Sequence, residues 1–159
     1  MGDITVAEVD NWRSDGQTFP NLLNQNFFDD LRLTGYEYNQ RVLAPGDSLE
    51  VMLYWEALRD APPDYLVEVS LCELPCADWM PKLATAVSPP RSAPTSSWQA
   101  GQLVADPHIV PLDPTLPPGS YSIHVALIDA VTKAPQNIVA EDGHYIDDRL
   151  LLSNIRVQP

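Results

Sequence analysis

The sequence predicts an all-β domain, built as a two-sheet antiparallel β-sandwich of immunoglobulin-like or jelly-roll-like type. The chain has 159 residues, and its 16 prolines and 7 glycines are spread along it. So many helix-breaking prolines and glycines leave little room for long helices and favour short strands joined by turns. After the turn at Pro117-Pro118-Gly119, residues 120–129 alternate strictly between two faces. Such alternation is typical of an antiparallel strand with one face on a core.

The composition of the first part of the chain differs from the rest and predicts an extension of this sandwich. Residues 4–9 have the composition of an edge strand. Residues 24–30 are polar with two aromatics, which suggests a segment held across the sandwich by Phe27 and Phe28. We therefore predict residues 1–25 as an N-terminal extension or edge strand, and residues 26–159 as the β-sandwich domain.

A parity switch predicts a β-bulge in the first core strand. Leu31 and Leu33 share one face, whereas Tyr36 and Tyr38 take the opposite parity after Gly35. A glycine at such a switch is typical of a bulge.

Alternating apolar residues bounded by turns predict the core strands. Residues 75–97 are the least regular part, and residues 88–97 have the composition of an exposed loop. A last strand is expected at residues 150–157, with Leu151, Ile155 and Val157 on one face, for a total of about seven to nine strands. The residues predicted to lie buried between the sheets are Leu49, Val51, Leu53, Trp55, Val67, Val69, Leu71, Tyr121, Ile123, Val125 and Leu127.

Charge disfavours two classes of partner, and hydropathy predicts no membrane span. The formal net charge is −13, from 22 acidic and 9 basic residues. Such a surface repels phosphate backbones and anionic membranes, so nucleic-acid binding is disfavoured. No run approaches the ~20 apolar residues that cross a bilayer, so we expect no transmembrane segment in this chain.

The two cysteines leave two alternatives open. Cys72 and Cys76 lie four residues apart around a proline, so they can close a small disulfide loop in an oxidising compartment or remain free thiols. A zinc site needs two further ligands, and the three histidines have no paired spacing to supply them.

Four tryptophans and six tyrosines raise the possibility of carbohydrate binding. Exposed rings stack on the C–H faces of sugars, while nearby acids or amides take the hydroxyls. Trp55 ends an alternating strand and is expected in the core, and Trp98 is expected to cover one end of the sandwich. Trp12 and Trp79 lie in polar or proline-flanked segments and are the candidate sugar-stacking residues, against the alternative of buried packing.

An acidic loop suggests a metal site. Residues 141–148 contain four carboxylates and a histidine, and oxygen-rich loops of this kind can hold calcium. The candidate ligands are Asp142, Asp147 and Asp148. The loop lacks EF-hand spacing, and acidic residues also cluster in solvated loops without any metal.

No catalytic motif stands out. The sequence has no Gly-x-Ser-x-Gly elbow, His-Glu-x-x-His pair or phosphate-binding glycine loop. His124 alternates within a strand and is expected at the surface or half-buried, and His108 follows Asp106 with no nucleophile marked nearby. We therefore expect that the protein is not an enzyme.

Ordered short motifs between residues 26 and 157 resemble a known family. They comprise residues 26–36 (NFFDDLRLTGY), 43–49 (LAPGDSL) running into Leu53-Tyr54-Trp55, Trp98-x-x-Gly101-x-x-Val104-x-Asp106, and residues 116–121 (LPPGSY). Their order is similar to the β-sandwich domain at the C-terminal, extracytoplasmic end of bacterial membrane glycosyltransferases of the dolichyl-phosphate-mannose mannosyltransferase type. The chain departs from that pattern by lacking transmembrane segments and by carrying residues 72–79 in place of a plain hairpin.

The resemblance implies a setting rather than a reaction. The membrane-embedded catalytic part is absent, so it implies a non-catalytic accessory module outside the cytoplasm, close to glycan chemistry. The partners it suggests are a glycan or a membrane glycosyltransferase. The alternative is a structural or protein-interaction domain that binds no glycan; an uncharacterised hydrolase is a third, less favoured class.

Overall fold

The computed structural model describes residues 21–77, 80–90 and 93–159, and this part of the chain is built from eleven strands. Apart from a 3-10 turn at Thr95–Ser97, these residues form no helix, and none of them belongs to a helix that could cross a membrane. The strands are β1 (Asn21–Phe27), β2 (Leu31–Tyr38), β3 (Val42–Leu43), β4 (Ser48–Ala57), β5 (Tyr65–Glu73), β6 (Leu83–Ser88), β7 (Leu103–Pro111), β8 (Gly119–Asp129), β9 (Ile138–Val139), β10 (Tyr145–Asp147) and β11 (Leu150–Val157).

The strands form two sheets, which confirms the predicted all-β sandwich. The six-stranded sheet has the order β10-β9-β1-β2-β4-β7, and the five-stranded sheet has the order β3-β11-β8-β5-β6. Every pairing between these strands is antiparallel except the short β11–β3 pair. The apolar faces of both sheets point inward and form one core.

All eleven residues predicted to lie between the sheets are buried, and so is Trp98. The eleven predicted residues lie on alternate positions of β4, β5 and β8, so a single parity along each strand faces the core. The period-2 pattern of the sequence was therefore sufficient to find the core.

The bulge predicted at Gly35 is confirmed. The register between β2 and β4 shifts between the pairs Leu33–Trp55 and Gly35–Tyr54. The shift lets leucines before the bulge and tyrosines after it share the buried face. A Cβ atom at Gly35 would lie 2.8 Å from the Asn21 carbonyl oxygen, so the close approach of β1 requires glycine.

The segment at residues 24–30 was predicted wrongly. Instead of lying across the sandwich, it forms most of β1 and the hairpin turn into β2, so β1 spans the boundary predicted at residue 25. Phe27 is buried in the core, but Phe28 is 43% exposed with a φ of 55°. The two-residue turn at Phe28 and Asp29 needs positive φ angles, and this turns the second ring out of the core.

Residues 75–97, expected to be the least regular part, include β6, which pairs with β5 at the edge of the five-stranded sheet. One further expectation needs correction. Leu151 does not share the buried face with Ile155 and Val157, because a register shift between Leu151 and Asn154 breaks the alternation. The edge strand predicted at residues 4–9 lies outside the described residues.

Candidate binding site on the outer face of the five-stranded sheet

The outward face of β5 and β8 is polar and yet buried. In both strands the odd-numbered residues fill the core, so the even-numbered ones point away from it. Glu68, Ser70, Ser122 and His124 are nevertheless only 0–6% exposed. Ser70 lies directly opposite His124 in the register. Other segments therefore cover this outward face.

His124 forms the floor of the covered region. Its Nδ1 lies 3.1 Å from the Ser70 Oγ, whereas its Nε2 is buried and has no hydrogen-bond partner. Burial, with a smaller contribution from Lys82, lowers the pKa of the imidazole to about 4. The ring is therefore neutral at pH 7, with one buried polar atom unsatisfied. Such an atom costs about 1–3 kcal/mol when nothing pairs with it.

An ion pair stands beside the imidazole. The Lys82 Nζ donates to both carboxylate oxygens of Glu68, at 2.7 and 3.1 Å. Glu68 is almost fully buried, while about half of the Lys82 side chain is exposed. Partial burial strengthens such a pair compared with a fully exposed one.

The end of β10 and the two residues after it line one part of this region, a groove of about 480 Å³. Asp147, Asp148 and Arg149 form this wall, and Lys133 also lines the groove. With Glu68 and Lys82, the lining holds three carboxylates and three cations around the neutral His124. We call this site the His124 groove. Its formal charges balance, although the whole chain carries −13.

The cysteine loop is attached to this groove. Cys72 and Cys76 are joined by a disulfide, with their Cα atoms 5.2 Å apart. Arg149 donates a hydrogen bond to the Cys76 carbonyl oxygen at 3.0 Å. The disulfide loop and the wall of the groove are therefore directly connected.

The three aspartates suggested as calcium ligands have two different surroundings. Asp147 and Asp148 line the His124 groove, whereas Asp142 accepts hydrogen bonds from the backbone and the ring of His144. The Asp147 carboxylate also accepts a bond from the Asp148 backbone, at 2.7 Å. Within residues 21–77, 80–90 and 93–159, no three His, Cys, Asp or Glu side chains are gathered in a metal-binding arrangement.

The tryptophans divide into two groups. Trp55 and Trp98 are core residues, at 0% and 1% exposure. Trp12 and Trp79 lie outside the described residues, so their predicted role stays a prediction. In the sequence, Trp79 falls between Cys76 and Lys82, both of which contact residues of the groove.

Sequence reasoning missed the central residue of the site. His124 was expected at the surface or half-buried, yet it is 1% exposed because loops from elsewhere in the chain cover its face. The signal lies in the strand pairing, which places Ser70 on β5 opposite His124 on β8 and Glu68 opposite the nearby Ala126. That pairing is a tertiary feature, so the alternation of each strand alone could not show it.

Comparison with known proteins supports the fold. No protein-family model matches the sequence, and no curated protein matches it. The structure is similar to the crystal structure of the C-terminal domain of wzt, with a TM-score of 0.55 and 10% identity. That alignment covers 89% of this chain and 78% of the other. The similarity at this identity concerns the β-sandwich fold alone.

Two further structures have lower similarity to this chain. One is to the alkylpurine DNA glycosylase AlkC of Pseudomonas fluorescens, bound to DNA containing an abasic site analog. Its TM-score is 0.44, its identity 11%, and the coverage is 77% of this chain and 29% of that one. The other is to the sporulation control protein Spo0M of Bacillus subtilis, with a TM-score of 0.40, 13% identity, and coverage of 91% and 50%.

Proposed function

We propose that this chain is a non-catalytic, glycan-binding accessory module, with the His124 groove as its binding site. The observation that carries the proposal is the lining of the groove, in which three carboxylates and three cations of balanced charge place acceptors and donors side by side. The volume of about 480 Å³ lies within the ordinary range of small-ligand sites.

A sugar matches this lining better than a charged ligand does. Each sugar hydroxyl both donates and accepts, so it pairs equally well with carboxylates and with cations. An anion would meet three carboxylates in the groove, and a cation would meet Lys82, Lys133 and Arg149. Balanced charge therefore favours a neutral polyhydroxyl ligand.

The Ser70–His124 contact supports binding rather than catalysis. A general base works best when its pKa lies near the operating pH, and the pKa of His124 is lowered to about 4. Ser70 is fully buried, so its hydroxyl offers no surface to an incoming carbonyl group. The pair suits a rigid support beneath the charged side chains that line the groove.

The proposed setting is outside the cytoplasm. The disulfide between Cys72 and Cys76 fits an oxidising compartment. The ordered motifs resemble an extracytoplasmic domain of mannosyltransferase-type membrane enzymes. The proposed partners are accordingly a glycan and a membrane glycosyltransferase that acts on it.

Affinity electrophoresis tests the function. The protein is run at high concentration through native gels containing mannan, dextran, galactan, xylan or β-glucan, because shallow sugar sites bind weakly. We expect at least one neutral polysaccharide to retard the wild-type protein. We expect Glu68→Gln and Asp147→Asn to reduce that retardation.

Glu50→Gln is the matched control, since Glu50 is half-buried on β4 of the other sheet. Each variant is checked for an unchanged melting temperature before its mobility is compared. Unretarded migration of the wild-type protein in all five gels would overturn the glycan proposal and favour the structural or protein-interaction domain. Equal retardation of all variants would reject the His124 groove as the site.

A further inference from the structure

A second cleft lies on the outer face of the six-stranded sheet. It has a volume of about 510 Å³ and lies where β1, β2 and the β9–β10 hairpin meet. Its lining is rich in amides and carboxylates, with one cation and three apolar residues. The residues that matter are Asn24, Asn26, Asp29, Arg32, Glu141 and Ile146.

Polar groups in this cleft are partly organised in advance. The Asn26 side chain donates to the Asp29 carboxylate at 2.9 Å and accepts from the Asp29 backbone at 2.8 Å. The Arg32 guanidinium lies 3.4 Å from Glu56, while its Nε is buried without a hydrogen-bond partner. A fixed amide beside a carboxylate and a guanidinium is the kind of set that takes neighbouring hydroxyls.

Two exposed aromatic residues neighbour lining residues of this cleft along the chain and in the strand register. Phe28 is 43% exposed and Tyr145 59% exposed, and their ring centroids lie 6.3 Å apart. Phe28 directly precedes Asp29, and Tyr145 lies opposite Val139, which also lines the cleft. Phe28 has a φ of 55°, a costly backbone conformation for a bulky residue that displays an apolar ring to solvent.

We propose that this cleft, with Phe28 and Tyr145, is a second sugar subsite that holds the same glycan chain as the His124 groove. The proposal rests on the proposed function. The two rings cover C–H faces of a sugar, while Asn26, Asp29 and Arg32 take its hydroxyls. We call this site the Phe28 cleft.

The chain places the two sites next to one another at one edge of the sandwich. Ile146 lines the Phe28 cleft, and the following residue, Asp147, lines the His124 groove. Consecutive Cα atoms are about 3.8 Å apart, so the two linings meet at β10. One glycan chain that bends around this edge can fill both sites, and its second contact is then intramolecular.

The test compares matched surface variants in the same five polysaccharide gels, together with size-graded fragments of mannan, dextran, galactan, xylan and β-glucan as soluble competitors. Phe28→Asn removes the ring and suits the positive φ, so the hairpin is kept. It is combined with Tyr145→Ala. Ile109→Ala is the control, because Ile109 is 47% exposed on β7, at the opposite edge of the sheet.

We expect the double variant to lose about tenfold in affinity for the polysaccharide, and to lose the preference of the wild-type protein for long competitors over short ones. The control should keep both. Wild-type retardation that the double variant retains in full, with no dependence on competitor length, would overturn the second subsite and leave the proposed function standing. Free migration of the wild-type protein in every gel would overturn the function itself, and the second subsite with it.

Discussion

Asp106 and His108 point their side chains from β7 into the core, where the His108 Nε2 donates to the Asp106 Oδ2 across 2.5 Å. Both side chains are almost completely buried, at 0% and 2% exposure. The Trp55 indole donates to the same carboxylate oxygen, at 3.2 Å. The core of this sandwich thus contains a polar cluster that links β4 to β7.

We expect His108→Phe to lower the free energy of unfolding by about 3 kcal/mol, because it removes a hydrogen bond to a buried carboxylate. Chemical denaturation monitored by tryptophan fluorescence measures the change. The matched control is His144→Phe. His144 pairs with Asp142, also two residues away in sequence, but the His144 side chain is 65% exposed. The control should show no measurable change, and a similar loss in both variants would contradict the role of burial.

His124 predicts a pH dependence of stability. Its folded pKa is lowered to about 4 from 6.5, so the unfolded chain binds the proton more tightly. The folding stability associated with the neutral form of His124 is fully present above pH 6.5 and is lost as the pH falls toward 4. We expect wild-type stability to fall by about 3 kcal/mol more than that of His124→Phe over this interval. Parallel curves for the two proteins would refute the assignment.

The disulfide loop should influence both stability and the His124 groove. A disulfide that closes a short loop stabilises a fold less than one that closes a long loop. Replacing Cys72 and Cys76 by serine should therefore lower the free energy of unfolding by at most about 2–3 kcal/mol. Because Arg149 bonds to the Cys76 carbonyl, we also expect weaker polysaccharide retardation. Thiol titration of the denatured, unreduced wild-type protein should find no free thiols, and two would show that the bond does not form.

Trp12 and Trp79 remain candidate sugar-stacking residues. We expect Trp79→Ala or Trp12→Ala to abolish polysaccharide retardation without unfolding the domain, because a stacking ring must leave one face open to solvent. Trp79 is the stronger candidate, since it lies in the sequence between two residues that contact the groove. Trp55→Phe, a core change, should instead lower the melting temperature. If the polysaccharide gels retard both alanine variants as much as the wild-type protein, neither tryptophan is a sugar-stacking residue.

The sequence by itself determined the fold class and most of the core. Proline and glycine turns bound short segments in which one parity is apolar, and that parity alone specifies which side chains meet between two sheets. The bulge at Gly35 was also readable, because the parity of the apolar residues changes there. These features depend on neighbours along the chain, so local patterns contain them.

The tertiary structure alone decided the rest. Phe28 is exposed because a tight hairpin turn forces a positive φ on it, which composition did not reveal. His124 is buried because two segments far from β8 in sequence, one with Lys82 and one with Asp147 and Arg149, converge over its outward face. Burial of an outward face depends on contacts between residues far apart in sequence. Strand alternation records only which way each side chain points, and not what the rest of the chain places over it.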